Sequence, residues 1–264
     1  MNFTGKTFWI TGASSGMGQA LSIALSKHKV RLIISDKDIE GLKKTAIEIK
    51  KNHSTVRIEH LDMSDTKAIT KVTNKVIEDG ETIFGLYQFA GISQRSLVIE
   101  TPLENDRKIM EINFFGVIAL TKAILPSMIE NGGGQFAIAS SLVGKFGFPY
   151  RSAYSASKHA LHGFFETLLA ENYKNNIKVS MIIGGRINTN ISKFALNKDG
   201  QEHGKLDDGQ ANGITPEKAA NQIIKGLKKE KNEIPVGNNE LLMLKIKRFF
   251  PGIHYKLART IKPM

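Results

Sequence analysis

Thr11-Gly12-Ala13-Ser14-Ser15-Gly16-Met17-Gly18 follows the short apolar run 7–10 and opens into Ala20, Leu21, Ile23, Ala24 and Leu25. The run before it has strand length, and the apolar positions after it recur at helical spacing. A strand, a glycine-rich turn and an amphipathic helix in that order build a phosphate cradle. The glycines allow a tight turn and bring bare backbone close to a diphosphate, whose charge the helix N-terminus favours. The spacing Gly-x-x-x-Gly-x-Gly is a variant of the usual dinucleotide fingerprint. A glycine-rich turn alone can be a plain connection; its place between strand and helix makes Gly12, Ser14, Ser15, Gly16, Met17 and Gly18 candidate cofactor contacts.

Outward from this turn, apolar runs near 30–34, 56–60, 85–89, 135–139, 178–183 and 233–236 alternate with helix-like stretches near 16–28, 38–51, 66–79, 103–130, 153–175 and 216–229. Such alternation predicts a parallel sheet covered on both faces, and right-handed crossovers make it doubly wound. The expected fold is an α/β, Rossmann-like three-layer sandwich forming one domain over 1–264. A polar stretch at about 189–215 follows the sixth strand and is long for a compact domain, so it is expected to act as a lid or substrate loop. A basic helical extension is expected from about 238 to 264.

The second strand ends at Ser35-Asp36, 24 residues past Gly12. A carboxylate there can accept hydrogen bonds from both ribose hydroxyls and repels a 2′-phosphate. Asp36 could instead cap the helix that starts near Asp38, and Lys37 beside it could offset the repulsion. NAD(H) is the expected cofactor and NADP(H) the alternative.

Ser140-Ser141-Leu142-Val143-Gly144 follows the fifth strand, and Tyr154-Ser155-Ala156-Ser157-Lys158 comes shortly after. Tyr154 and Lys158 are i and i+4, on one face of a helix. An ammonium near a phenol favours the phenolate; bringing a phenol from about 10 to near 7 takes about 4 kcal/mol. A phenol tuned so is a general acid for ketone reduction and a base for alcohol oxidation. The Ser141 hydroxyl could hold the carbonyl oxygen as it becomes an alkoxide. Tyr-x-x-x-Lys alone is mostly structural; its company gives it weight.

That company, Thr11-Gly12-x-x-x-Gly16-x-Gly18, Leu61-Asp62-Met63, Asn113, Ser141 and Tyr154-x-x-x-Lys158, resembles the short-chain dehydrogenase/reductase family in order and spacing over about residues 5–236. The resemblance implies a seven-stranded parallel sheet with a nicotinamide cofactor across the strand C-termini. It implies that Asp62 and Met63 lie at the adenine, Ala90 and Gly91 beside the cofactor, and Ile187 and Thr189 at the carboxamide and phosphate. Tyr154 would exchange the proton, Lys158 bind the nicotinamide ribose, Asn113 help hold a relay water and Ser141 orient substrate. Family habit implies a homodimer or homotetramer through the helices near 103–130 and 153–175. Two places depart from the pattern. Phe89-Ala90-Gly91 stands where the family has Asn-Ala-Gly, and Gly184-Gly185 where it has Pro-Gly. From Thr189 onward the chain resembles the family's dehydrogenase/reductase member 7B-like branch.

Composition limits the rest. No cysteine is present, which excludes disulfides and thiolate metal sites and fits the expected cytoplasmic location. The N-terminus shows no signal-peptide pattern, and no unbroken apolar run reaches about 18 residues. His159 and His162 lack a further ligand at metal spacing, so no metal is expected. Gly132-Gly133-Gly134 reads as a turn. The substrate is expected to be a small alcohol or ketone, apolar in body because Phe146, Phe148, Phe194 and Leu196 flank the site. From Lys225 onward ten Lys/Arg face three acids, so seven of the twelve net positive charges fall there. A solvated basic surface is the plain reading. An anionic partner, phospholipid or acidic carrier protein, is the sharper one, and no motif suggests nucleic acid. Residues 241–261 carry a wide apolar arc that Pro251-Gly252 should end, and packing on the domain or a partner subunit is expected over binding something apolar.

Overall fold

In the computed structural model, which describes residues 1–260, seven parallel strands form one sheet in the order β3-β2-β1-β4-β5-β6-β7. They are β1 (Thr7–Thr11), β2 (Arg31–Asp36), β3 (Thr55–His60), β4 (Ile83–Gln88), β5 (Gly134–Ser141), β6 (Ile177–Gly184) and β7 (Glu233–Val236). Every strand read from the sequence is present. β1 runs past the apolar stretch to Thr11 because its backbone still pairs with Ser35 and Gln88.

The strands alternate with α1 (Gly16–Ser26), α2 (Ile39–Lys50), α3 (Thr66–Glu78), α4 (Leu103–Met110), α5 (Gly116–Glu130), α6 (Ser152–Glu171), the one-turn α7 (Asp208–Ala211) and α8 (Pro216–Lys228), and α9 (Leu242–Phe249) and α10 (Pro251–Thr260) follow β7. Side-chain caps start several of them: Asp38 accepts from the Gly41 amide, Asp65 from Ala68 and Thr215 from Lys218. Asp38, and not Asp36, therefore caps α2.

The period-two alternation of β1 and β2 divides the core between the sheet's faces. Phe8, Ile10, Leu32 and Ile34 pack with Leu21 and Leu25 of α1, Leu42 and Ile49 of α2 and Ile223 and Leu227 of α8. Trp9 and Ile33 join Ile69 of α3, Leu120 and Ile124 of α5 and Phe165 of α6 on the other face. Each such large apolar side chain contributes about 1.5–3 kcal/mol by leaving water.

The 103–130 stretch, expected as one helix, is α4 and α5 joined by a π turn at Glu111–Phe115. Allowing a few charges, this stretch is long and apolar enough to cross a bilayer, a property the search for an unbroken run passes over because Lys122 interrupts it. Here it flanks the sheet, with Val117, Leu120, Ile124 and Met128 in the core.

Crossovers run in opposite directions from β1 and β4, leaving a crevice at their carboxyl ends where ligands bind in such sheets. Residues 190–214 fold back over that edge. Leu196 donates to Ser93 O at 2.9 Å and accepts from Arg95 N at 2.8 Å, and Ile214 N reaches Arg186 O at 3.0 Å.

The C-terminal extension corrects two expectations. Pro251 ends α9 and also starts α10, because a proline suits a first helical turn. Of the packing expected on the domain or a partner subunit, little is made on the domain: among the described residues no α9 side chain is buried, and α10 buries His254 alone. Leu244 touches the core and His254 stacks edge-on against Phe146 at 4.6 Å. The apolar arc is wider than these two contacts can cover, so Phe249, Phe250 and Tyr255 stay exposed rather than covering the core. Residues 261–264, Ile261 and Lys262 with them, lie outside the described residues.

Candidate active site

The glycines of the first turn are required by contact. A Cβ on Gly12, whose φ is +68°, would stand 2.5 Å from the Ala90 amide nitrogen, and one on Gly18 would stand 2.2 Å from Gly12 O. The turn and the β4 exit are thus pressed together, with no room for a side chain between them. Thr11 fastens the joint, its hydroxyl accepting from the Phe89 and Ala90 amides at 3.2 and 3.3 Å. Phe89, the first departure from the family pattern, packs half-buried against the core behind it. At the start of α1 the Ser15 side chain makes no capping hydrogen bond. The first-turn amides of Gly16 and Met17 are thus left to a crevice suited to a diphosphate. Thr189 lies across from Gly16, where a Cβ would meet its methyl at 3.4 Å.

Asp36, at the end of β2, accepts from the Ser14 amide at 3.4 Å and the Asp38 amide at 3.1 Å, which holds its carboxylate beside the glycine turn. Asp62 accepts from the Ser64 amide and hydroxyl at 2.8 and 2.7 Å. Burial alone would raise its pKa, but these bonds with Lys37 and His60 bring it below the usual value. Met63 is buried in the core, and its carbonyl lies so close to Gly116 that a Cβ there would clash at 2.0 Å. Ile187 is also buried, and its amide donates to Gln210 Oε1 at 3.2 Å.

Ser141 ends β5, and Tyr154 and Lys158 follow in the first turns of α6. The Ser141 hydroxyl donates to Gly184 O at 3.3 Å and accepts from the Val143 amide at 3.4 Å. Burial pushes the Tyr154 phenol up from its ordinary value, against the opposing pull of Arg95, the Ser141 hydroxyl and Arg151. Lys158 Nζ is 5.7 Å from the Tyr154 ring centre and donates to Ala139 O at 2.7 Å. Burial lowers its pKa to about 8. A buried ammonium with one protein acceptor has two N–H groups left for a ligand, and Gly91 opens beside it: a Cβ there would be 3.7 Å from Nζ.

Asn113 sits in the π turn. Its side chain brackets Ile92, accepting from the amide and donating to the carbonyl, both at 2.9 Å, and donates to Ser157 Oγ at 3.1 Å. With the side chain committed, a relay water at Asn113 would have to use the main chain. Ala90 and Gly91 border the same opening.

Sequence reading missed a buried ion network. Arg95 grips Asp207 through Nε and Nη2 at 3.0 and 2.6 Å, and Arg151 Nη2 joins the same carboxylate at 2.9 Å. Two guanidiniums thus share one carboxylate beside Tyr154. Burial, then Arg95, lowers the Arg151 pKa to about 10. Arg151 precedes Tyr154 by three residues, a signal available in the sequence; Asp207 is 112 residues from Arg95 and gave none.

Of the four side chains read as an apolar wall, Phe146 turns to His254, Leu196 packs with Ile109 and Ala153, and Phe148 and Phe194 stay at the rim. The two histidines separate as well. His159 Nδ1 meets Ser155 O, whereas His162 Nε2 pairs with Ser140 Oγ at 2.9 Å and its Nδ1 lies with Glu166 and Glu233 oxygens, all within 4.8 Å. Carboxylates therefore do stand at ligand spacing, Glu166 one helical turn on and Glu233 from β7. Lys145 is ion-paired to that same Glu233.

The short chain dehydrogenase family model matches residues 6–200. A dehydrogenase/reductase SDR family protein 7-like from Anopheles gambiae is 41% identical over 241 residues, 88% of this chain and 75% of its own. Dehydrogenase/reductase SDR family member 7B from Bos taurus is 33% identical over 258 residues, 95% of this chain and 79% of its own. A short chain dehydrogenase/reductase SDR from Burkholderia phymatum, solved in complex with NAD, shares the fold at TM-score 0.83 and 18% identity, covering 100% of this chain and 98% of that one. A short-chain dehydrogenase from Streptomyces avermitilis aligns at TM-score 0.79 and 26% identity over 97% and 96% of the two chains. With the glycine cradle and the Ser141, Tyr154 and Lys158 cluster at the strand ends, these likenesses lead to one conclusion: the chain belongs to the short-chain dehydrogenase/reductase family and is a dehydrogenase/reductase.

Proposed function

We propose that the chain transfers hydride between NAD(H) and the carbon of an alcohol or ketone, with Tyr154 exchanging the proton. The observation that carries this is the buried Tyr154 phenol, set against Ser141 and one turn before the singly bonded Lys158 ammonium. When bound, the nicotinamide supplies or takes the hydride. Gly12, Ser14, Ser15, Gly16, Met17 and Gly18 hold the diphosphate, Asp36 the adenosine ribose, and Asp62 with the Met63 backbone the adenine. Lys158 donates to the nicotinamide ribose, while Ala90, Gly91, Ile187 and Thr189 border the cofactor. Ser141 donates to the substrate oxygen as charge develops on it. Asn113 positions Ile92 and the start of the proton path.

A phenol held up by burial is protonated at neutral pH and ready to donate, which suits ketone reduction. Alcohol oxidation needs the phenolate and gains as pH rises. Phe148 and Phe194 at the rim support an apolar substrate body. The exposed Leu103 and Phe115 support a homo-oligomer through the 103–130 helices, and the lack of cysteine supports a cytoplasmic location.

A panel of alcohols and ketones assayed with both cofactors tests this reading. NAD(H)-dependent turnover of at least one secondary alcohol–ketone pair is expected. Tight cofactor binding with no turnover across the panel would leave a nucleotide-binding scaffold instead, and tighter NADP(H) binding would overturn the cofactor preference.

A further inference from the structure

We propose that α9 and α10 form a docking face for an anionic lipid surface, a property separate from the hydride transfer proposed above. Phe249, Phe250 and Ile253 are 66%, 59% and 53% exposed and lie within five residues of one another. Phe250, Ile253 and Leu257 recur at i, i+3 and i+7, one apolar stripe along α10. The pair is held as a preformed hairpin: Lys247 Nζ donates to the Tyr255 hydroxyl at 2.9 Å and lies 4.1 Å from its ring centre.

Charge selects the occupant. Lys245, Arg248, Lys256 and Arg259 are exposed on the same two helices. The one acid of the segment, Glu240, is turned inward, accepting from the Arg186 and Asn238 amides at 2.8 and 3.1 Å. A second copy placed face to face would bring the same uncompensated cations against these. Exposed aromatics and aliphatics flanked by lysine and arginine are what a helix needs to rest in the headgroup layer of an anionic membrane.

Position agrees. The hairpin leaves the carboxyl end of β7, its His254 stacks on Phe146 just beyond Ser141, and Glu240 closes against Gly185. The connection after β4, at the same sheet edge, exposes Val98 and Ile99, 77% and 91%. A chain lying on lipid through these groups turns the rim of its active site to the membrane.

Vesicle sedimentation of the full chain tests the proposal without substrate or cofactor. Binding is expected to phosphatidylcholine vesicles holding about one-third phosphatidylserine, and to fall at least about tenfold in high salt or with Lys245→Glu/Arg248→Glu. Phe250→Ser/Ile253→Ser should weaken it comparably while the circular dichroism melt is retained. Equal binding to pure phosphatidylcholine, no binding at low salt, or sedimentation unchanged in both variants would overturn the proposal. So would a serine variant that leaves vesicle binding intact and converts an oligomer to a monomer, which would make the face a subunit contact.

Discussion

The floor of the active site and its rim are built by opposite means. Ser141, Tyr154, Lys158 and Asn113 stand on β5, α6 and the π turn, elements packed within the central sheet and its helical layer. The rim, residues 190–214 with α9 and α10, is fastened by a few long-range contacts: Asp207 to Arg95 and Arg151, Gln210 to Ile187, Glu240 to Arg186. Reacting groups need fixed geometry and sit where backbone pairing fixes it. Groups that choose substrates and partners sit where loops can vary without disturbing the sheet.

That contrast sets the size of the expected effects. Tyr154→Phe keeps the ring and removes the proton, so turnover should fall at least about 10²-fold with cofactor binding retained; near-normal turnover would take Tyr154 out of the chemistry. Asp207→Asn leaves two guanidiniums without their shared charge. Chemical denaturation should report a loss of about 3 kcal/mol. With the positive field strengthened, the rise of oxidation rate with pH should also move to lower pH, which a purely structural role for Asp207 would not produce. Asp36→Ser should shrink the preference for NAD(H) over NADP(H) by about tenfold in a fluorescence titration; an unchanged ratio would place the selection elsewhere.

Deleting residues 241–264 tests the rim directly. Because α9 and α10 bury so little, the melting temperature should drop by no more than about 4 °C. Aggregation of the truncated chain would mean that the hairpin supports the core after all. The smallest effect concerns His162, whose pKa burial and nearby Lys145 lower to about 4 from 6.5. The unfolded chain binds this proton more readily, so the stability is present above pH 6.5 and is lost as pH falls toward 4. His162→Gln should flatten the stability profile in that window, and an unaltered acid limb would assign the loss to other groups.

The same contrast explains what could be read from the chain alone. The first strand, its glycine turn and α1 were legible because their signals are local and periodic, and Tyr154 with Lys158 because i, i+4 spacing fixes their shared face. The π turn at Asn113 was not, since one inserted residue shifts the helical phase without any residue type that marks it. The Arg95–Asp207 pair was out of reach because only the folded lid brings it together. Pro251 was read as a stop, yet the same fixed φ lets it begin α10. Glu166 was overlooked beside His162 although it lies one turn away.

Glu240 gives the hairpin a mechanical role. Its carboxylate holds the Arg186 and Asn238 amides and fills the space that Gly185 leaves open, where a Cβ would stand 2.4 Å from Oε1. The glycine in the altered corner after β6 thus makes room for a tether between the base of the tail and the loop that leads to Ile187 and Thr189. The base of the tail and the border of the cofactor crevice therefore share one carboxylate, so a substitution at Glu240 alters both at once.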